Sequence, residues 1–287
     1  MFVIIGIVVV FSAVIGGYLM ENGNLSVLFQ PAEFVIIFGA ATGALIISSP
    51  GGVLRGIISN LSKVFSSDAA TKEDYMELLM LLNQIFWKTR KEGLLALETD
   101  VDNPMNSDIF KNYPKITSNP QTLGFICDNL RVMISASMPA YELENLLDMD
   151  IEALNHSKLV PAQSIAKVAD GLPGLGIVAA VMGVVLTMEK ISEPPAVLGE
   201  CIGAALVGTF LGVLTCYGFV GPIATNLEHK AKDKEIYFNV IKSALVSFQG
   251  GVAPQITIET ARRTIPSDER PTFTEVEEAI KKSKSKG

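Results

Sequence analysis

Two runs without a single charge, Gly171–Met188 and Cys201–Leu227, flank a short polar link at Glu189–Glu200. Crossing a hydrocarbon core as a helix takes about 20 residues at ~1.5 Å rise each. Both runs are long enough, so the pair reads as a membrane hairpin. Each run holds one proline, Pro173 in LPGLGIVAAVMGVV and Pro222 in YGFVGPIAT. The chain leaves through the first run and returns through the second, so both prolines fall toward the same membrane face, Pro222 somewhat deeper toward it. A proline in a spanning helix removes a backbone donor and frees a carbonyl. Two in one hairpin mark a place where the bundle flexes or a polar group is received.

Four stretches of this kind occur in the 287 residues: Met1–Met20, Phe34–Leu54, Gly171–Met188 and Cys201–Ile223. Soluble domains rarely carry four. The first lacks a basic leader, is too long for a signal sequence and is followed by no small-x-small cleavage site, so it reads as a retained helix. Lys190 alone among the 23 Lys and Arg residues lies in a short link; the Glu21–Glu33 link has none. The remaining basic residues fall between Arg55 and Lys167 or beyond Pro222. The positive-inside rule then places both large polar segments and both termini in the cytoplasm. A formal charge of −7 argues against nucleic acid as a partner. Cys127, Cys201 and Cys216 are unpatterned and imply neither a disulfide framework nor a zinc site.

The organisation expected is all-α: 1–54, two spans and a short outer loop; 55–168, a helical cytoplasmic domain; 169–227, the hairpin; 228–287, further cytoplasmic helices and a tail. In the second of these, Tyr75, Leu78, Leu79, Leu82, Ile85 and Phe86 recur at helical spacing within Thr71–Leu97. Thr71 followed by Asp74 resembles a capping box. Leu123–Ser137 and Tyr141–Asn155 read as separate helices, and Ala253–Thr264 as another. The helix after Pro222 should run to Phe248 and stop at Gly250-Gly251. From Thr274 the chain reads as a solvated helix end leading into a disordered Lys/Ser tail.

No constellation of an enzyme is visible, and no cofactor or metal site. His156 and His229 lie in charged surface stretches, and GLPGLG at Gly171–Gly176 opens a span without the Lys of a phosphate loop. The interiors of the four spans, bounded as above, contain no Asp, Glu, Lys, Arg or His. An ion-translocating protein normally keeps one there, so the carrier should come from a partner. Thr187, Thr209 and Thr215 are the main polar groups of the hairpin. Thr209 and Ala180 each lie nine residues from an outer edge charge, at a common depth of about 13 Å. The plain expectation for Thr209 is a hydroxyl bonded to the carbonyl one turn back. Gly39 and Gly43, and the stripe Gly199, Gly203, Gly208 and Gly212, allow close approach of another helix or another copy. Arg90 and Glu98 stand about two turns apart in RKEGLLALE and would share one helical face. Alone, they and Asp150 read as solvated charges.

GGYLMENG, QPAE, RKEGLLALE, LPGLGIVAAVMGVV, ALVGTFLGVLTCYGFVGPIAT and RPTFTEVEE together resemble the MotA family, the A subunits of bacterial flagellar stators. PomA and ExbB/TolQ proteins are similar in kind. The resemblance spans nearly the whole chain. It implies a homopentameric ring in the inner membrane around two helices of a MotB-type, peptidoglycan-binding subunit that carries the essential aspartate. It implies roles in ion passage and conformational coupling for Pro173, Pro222, Thr209 and Ala180. It implies that Arg90, Glu98 and Asp150 face the rotor protein FliG, with Asp150 standing where relatives often have Glu. Sodium-driven relatives carry Thr where this chain has Ala180, so the resemblance favours protons. The competing readings are a sodium-driven stator, an ExbB/TolQ-like energiser of envelope transport, and a membrane scaffold with no ion flux.

Overall fold

A computed structural model describes residues 2–65, 69–136 and 138–284, and these residues form helices and no strand. In chain order the α-helices are α1 Phe2–Met20, α2 Leu25–Leu28, α3 Pro31–Ser48, α4 Gly51–Lys63, α5 Lys72–Glu92, α6 Glu98–Asp102 and α7 Pro114–Thr117. They continue as α8 Pro120–Ser135, α9 Ala140–Met188, α10 Pro195–Thr215, α11 Gly221–Gln249, α12 Pro254–Thr264 and α13 Phe273–Lys284. Two compact units result, Met1–Asp68 with His156–Ala231, and Ala69–Asn155 with Lys232–Gly287. Four helical stretches among the described residues are long and apolar enough to cross a membrane: Phe2–Met20, Leu25–Ser48, Ala140–Met188 and Pro195–Gln249. The protein is a multi-pass membrane protein.

In the first unit α1 buries none of its residues. It touches the rest at Phe11, whose ring centroid is 4.8 Å from that of Phe219, and at Val10, beside Gly218. Such an apolar surface requires lipid or neighbouring protein around it. The packed part lies between α9 and α10, where small residues let backbones meet. A Cβ added at Gly212 would lie 2.6 Å from the Leu172 carbonyl oxygen and 3.2 Å from the Gly176 nitrogen. One at Gly176 would lie 2.6 Å from the Gly208 carbonyl oxygen. The expected glycine stripe therefore divides: Gly208 and Gly212 close the hairpin, whereas Gly199, Gly203, Gly39 and Gly43 face open space.

The second unit is built around α5. Thr71 and Asp74 form the expected capping box, with the Thr71 N–H donating to Asp74 Oδ2 at 2.8 Å. Burial goes beyond the stripe read from spacing. Met80 and Leu81 join Leu78, Leu79, Leu82, Ile85 and Phe86 in the core, so α5 is enclosed nearly all round. Phe86 stacks on Phe248 of α11 at 4.4 Å, and Phe125 of α8 meets Phe238 of α11 at 4.8 Å. Leu143, Leu147 and Ile151, from the start of α9, complete this core.

Several boundaries differ from expectation. Gly93, at φ +87°, ends α5 at Glu92, and a 3₁₀ turn, Leu94–Leu97, follows. The helix read from Tyr141 does not stop at Asn155; α9 runs unbroken for 49 residues through Pro161 and Pro173. The second spanning helix begins at Pro31 rather than Phe34, because proline is preorganised for a helix's first position. It stops at Ser48, and α4 restarts after Pro50. The tail is more ordered than expected. Thr272 and Glu275 cap α13 reciprocally, Lys72 Nζ meets Glu275 Oε1 at 2.8 Å and Val276 is buried. Of the expected Lys/Ser tail, 285–287 lie outside the described residues, as does Ser137 at the expected end of a helix.

Candidate functional site

Thr209, Ala180, Pro173 and Pro222 all belong to the first unit. Ala180 is buried, and its nitrogen would lie 3.2 Å from a Cβ on Gly208, so it stands level with Gly208 and Thr209 as the spacing requires. Thr209 is half-buried, with its Cα 3.3 Å from the position of a Cβ on Gly176. The bond expected from its hydroxyl to the preceding turn is absent. Thr187 makes that bond to the Gly183 carbonyl at 2.8 Å and Thr225 to that of Gly221 at 3.2 Å, while Thr209 makes none among the described residues. Its hydroxyl retains its full donor and acceptor capacity.

Pro173 is half-buried in an unbroken stretch of α9. Pro222 has a different setting. Residues Cys216–Val220 form a π-helical turn immediately before it, closed by the Gly221 N–H donating to the Cys216 carbonyl. Pro222 has no N–H to give to the carbonyl four residues back, and its ring crowds that carbonyl. Widening the helix by one residue accommodates both defects. A side chain on Gly221 would come within 2.9 Å of the Cys216 carbonyl oxygen, so the turn requires glycine there. Beside it is a cavity of about 570 Å³ lined by Asp170, Cys216, Tyr217, Pro222, Asn226 and His229, among others. Asp170 and Asn226 were not singled out from sequence; their only signal was position, three residues before Pro173 and four after Pro222. His229 and His156 are not buried, in keeping with their charged surroundings in sequence.

The spans are not free of ionisable groups. Starting α3 at Pro31 draws Glu33 into the helix, and the residue is only 7% exposed. By sequence it reads as the last residue of a loop.

Arg90, Glu98 and Asp150 belong to the second unit. Arg90 is exposed in the last turn of α5, Glu98 is exposed at the start of α6 and Asp150 is half-buried on α9. None forms an ion pair among the described residues. Arg90 and Glu98 do not share a helical face, because the left-handed Gly93 separates their helices. Their relation is fixed by neighbours two residues away. Lys88 Nζ reaches Asp100 Oδ2 at 2.6 Å, and Ser107 Oγ donates to Asp100 Oδ1 at 2.6 Å. That pair ties α6 to α5 and leaves Arg90 and Glu98 presented to solvent.

These features define a class: a polytopic helical membrane subunit with a glycine-packed hairpin, an unengaged hydroxyl in it, and a separate helical unit with unpaired surface charges. Residues 4–93 match the Motility protein A N-terminal family, and residues 123–239 the MotA/TolQ/ExbB proton channel family. The chain is 44% identical over 285 residues to Motility protein A of Escherichia coli, covering 99% of this chain and 97% of that protein. It is 43% identical over 281 residues to Motility protein A of Salmonella typhimurium, covering 98% and 95%. The fold matches a solved structure of C. jejuni MotAB with a TM-score of 0.78 at 19% identity, over 94% of this chain and 98% of that one. The chain belongs to the motility protein A family.

Proposed function

We propose that this chain is the stator subunit of a bacterial flagellar motor, forming a proton channel with a MotB-type partner in the inner membrane. The observation that carries the reading is full-length similarity to motility proteins A together with the hairpin, in which Ala180, Gly208 and Thr209 stand at one level. Five copies would surround two partner helices, both termini lying in the cytoplasm. The open faces of Gly39, Gly43, Gly199 and Gly203 supply flat surfaces for such a ring.

The partner's aspartate takes a proton from the periplasmic side, which relieves the cost of a charge in a low-dielectric site. Its helix then prefers a different neighbour in the ring. Five-fold and two-fold elements cannot match in symmetry, so relief of one contact prepares the next. The unengaged Thr209 hydroxyl is available to the passing proton or carboxyl, and the π turn before Pro222 supplies a bend in the fourth span. Arg90, Glu98 and Asp150 press on FliG by charge complementarity. Each charge crossing 100 mV releases about 2.3 kcal/mol, so one turn requires many ions. The match to the Motility protein A N-terminal family favours this reading over an ExbB/TolQ-like energiser.

Expression in a strain lacking its own stator tests the proposal. Together with its partner the chain should restore swimming that is abolished by a proton uncoupler and insensitive to sodium. Swimming that follows sodium concentration would reassign the ion, and no swimming with both proteins in the membrane would remove the function.

A further inference from the structure

Glu33 occupies the third position of α3, where a glutamate ordinarily reaches back to the N-cap amide. It does not do so here. The N-cap, Gln30, receives no side-chain hydrogen bond. The side chain runs instead into the hairpin. A Cβ on Gly208 would collide with its Oε2, and its Oε1 is 3.8 Å from the position of a Cβ on Gly183, an ordinary contact. Glycine at 208 leaves the slot open, and glycine at 183 lets Ala205 approach beside it. The residue is buried, and among the described residues Oε2 has no hydrogen-bond partner. An ionised carboxylate left unpaired in apolar surroundings is strongly disfavoured relative to its protonated form. Retaining such a group without a donor requires an explanation.

Around that slot stand Ala179, Ala180 and Gly183 of α9 and Ala205 and Gly208 of α10. None titrates. On those elements the nearest titratable residues along the chain are Asp170, nine before Ala179; Glu189, six beyond Gly183 and just past α9; Glu200 and Cys201, five and four before Ala205; and Cys216, eight beyond Gly208 and just past α10. The short helix α2 contributes none. Among the described residues no group of three or more His, Cys, Asp or Glu side chains that could hold a metal ion is found, whereas a proton needs only the one carboxyl.

We infer that Glu33 is a proton-exchange site in the wall of the channel, at the level of Ala180 and Thr209. It takes a proton on a carboxylate oxygen and gives it up to the next acceptor along the route. No bond other than O–H forms or breaks, and the proton supplied by the periplasm is the proton delivered. The inference rests on the proposed stator function, to which it adds a second carboxyl beside the partner's.

The test uses the complex with its partner, comparing wild type with Glu33→Gln and Glu33→Asp. Proton flux into vesicles should fall about a hundred-fold in Glu33→Gln, the low end for loss of a positioned proton-transfer group. It should be partly retained in Glu33→Asp. Infrared difference spectra on a jump in external pH should show, beside the band of the partner's aspartate, a second carboxylic acid carbonyl band in the wild type that is missing in Glu33→Gln, a signal that a merely structural side chain would not give. Flux in Glu33→Gln equal to that of the wild type would overturn the inference, as would a difference spectrum of that variant identical to that of the wild type. If Glu33→Gln fails to assemble, Glu33→Asp and the wild-type spectrum decide, and a second carboxylic acid band that is absent from the wild type, or that does not shift in Glu33→Asp, overturns it. A wild-type complex that conducts no protons would instead refute the proposed function.

Discussion

Lys88 and Asp100 meet at 2.6 Å across the break at Gly93, and the pair sets how Glu98 is presented beside the helix that bears Arg90. The Asp100 side chain is 11% exposed and that of Lys88 is 29% exposed. Removing the cation leaves a mostly buried carboxylate with only the Ser107 hydroxyl. Lys88→Met should therefore lower the stability of the second unit by about 1–3 kcal/mol. Lys88→Arg should recover part of it. Thermal unfolding of the purified protein checks this, and motility should fall in Lys88→Met even though Arg90 and Glu98 are intact.

Gly212→Ala should disrupt the hairpin, because the new methyl meets backbone atoms of Leu172 and Gly176 that cannot move aside independently. Overpacking of this kind costs about 1–3 kcal/mol. Gly171 and Gly174 lie on the same helix as Gly176 but face open space, so Gly171→Ala and Gly174→Ala should not lower stability and serve as controls. Melting of the detergent-solubilised protein separates the variants, and equal melting temperatures would remove the case for close hairpin packing.

Cys127 is buried in the second unit, and burial pushes its thiol up to about 11, with Arg131 nearby opposing the shift and Asp128 adding to it. The thiolate is the reactive form. In a protein with Cys201 and Cys216 replaced by serine, alkylation at neutral pH should be slow when folded and fast in denaturant. Rapid labelling of the folded protein would show that α8 is not packed as described.

Glu259 accepts from Arg262 at 2.7 and 2.8 Å and from Arg263 at 2.7 Å. The Arg262 hydrogen bonds, together with that of Arg263, hold its carboxyl down at about 2, against burial acting the other way. A depressed carboxylate adds stability that is present above its unfolded value of 4.5 and is lost as pH falls toward 2. Glu259→Gln should therefore melt below the wild type at neutral pH, and the gap should narrow across that acid window. Melting curves followed by circular dichroism at a series of pH values check this, and a gap independent of pH would count against the ion pair.

Features set by neighbours in sequence were legible before the structure. The Thr71–Asp74 cap, the four apolar runs and the stop near Gly250-Gly251 each depend on residues a few positions apart, and each is present. The expected stop at Asn155 does not occur, and α9 continues past Pro161, because a proline can be carried in a long helix when the surroundings satisfy the freed carbonyl. Arg90 and Glu98 share one face only if a helix runs unbroken through Gly93, and glycine's freedom to take φ +87° undoes that. Glu33 was illegible for a different reason. By sequence it ends a loop, and only the start of α3 at Pro31 and the tertiary placement of Gly208 carry it into the hairpin.

The most direct test of the central claim is proton flux into vesicles containing this chain alone and this chain with its MotB-type partner, under an imposed membrane potential. The account predicts flux only when both are present, because the conducting route is completed by the partner's carboxyl. Steady proton conduction by this chain without the partner would contradict it.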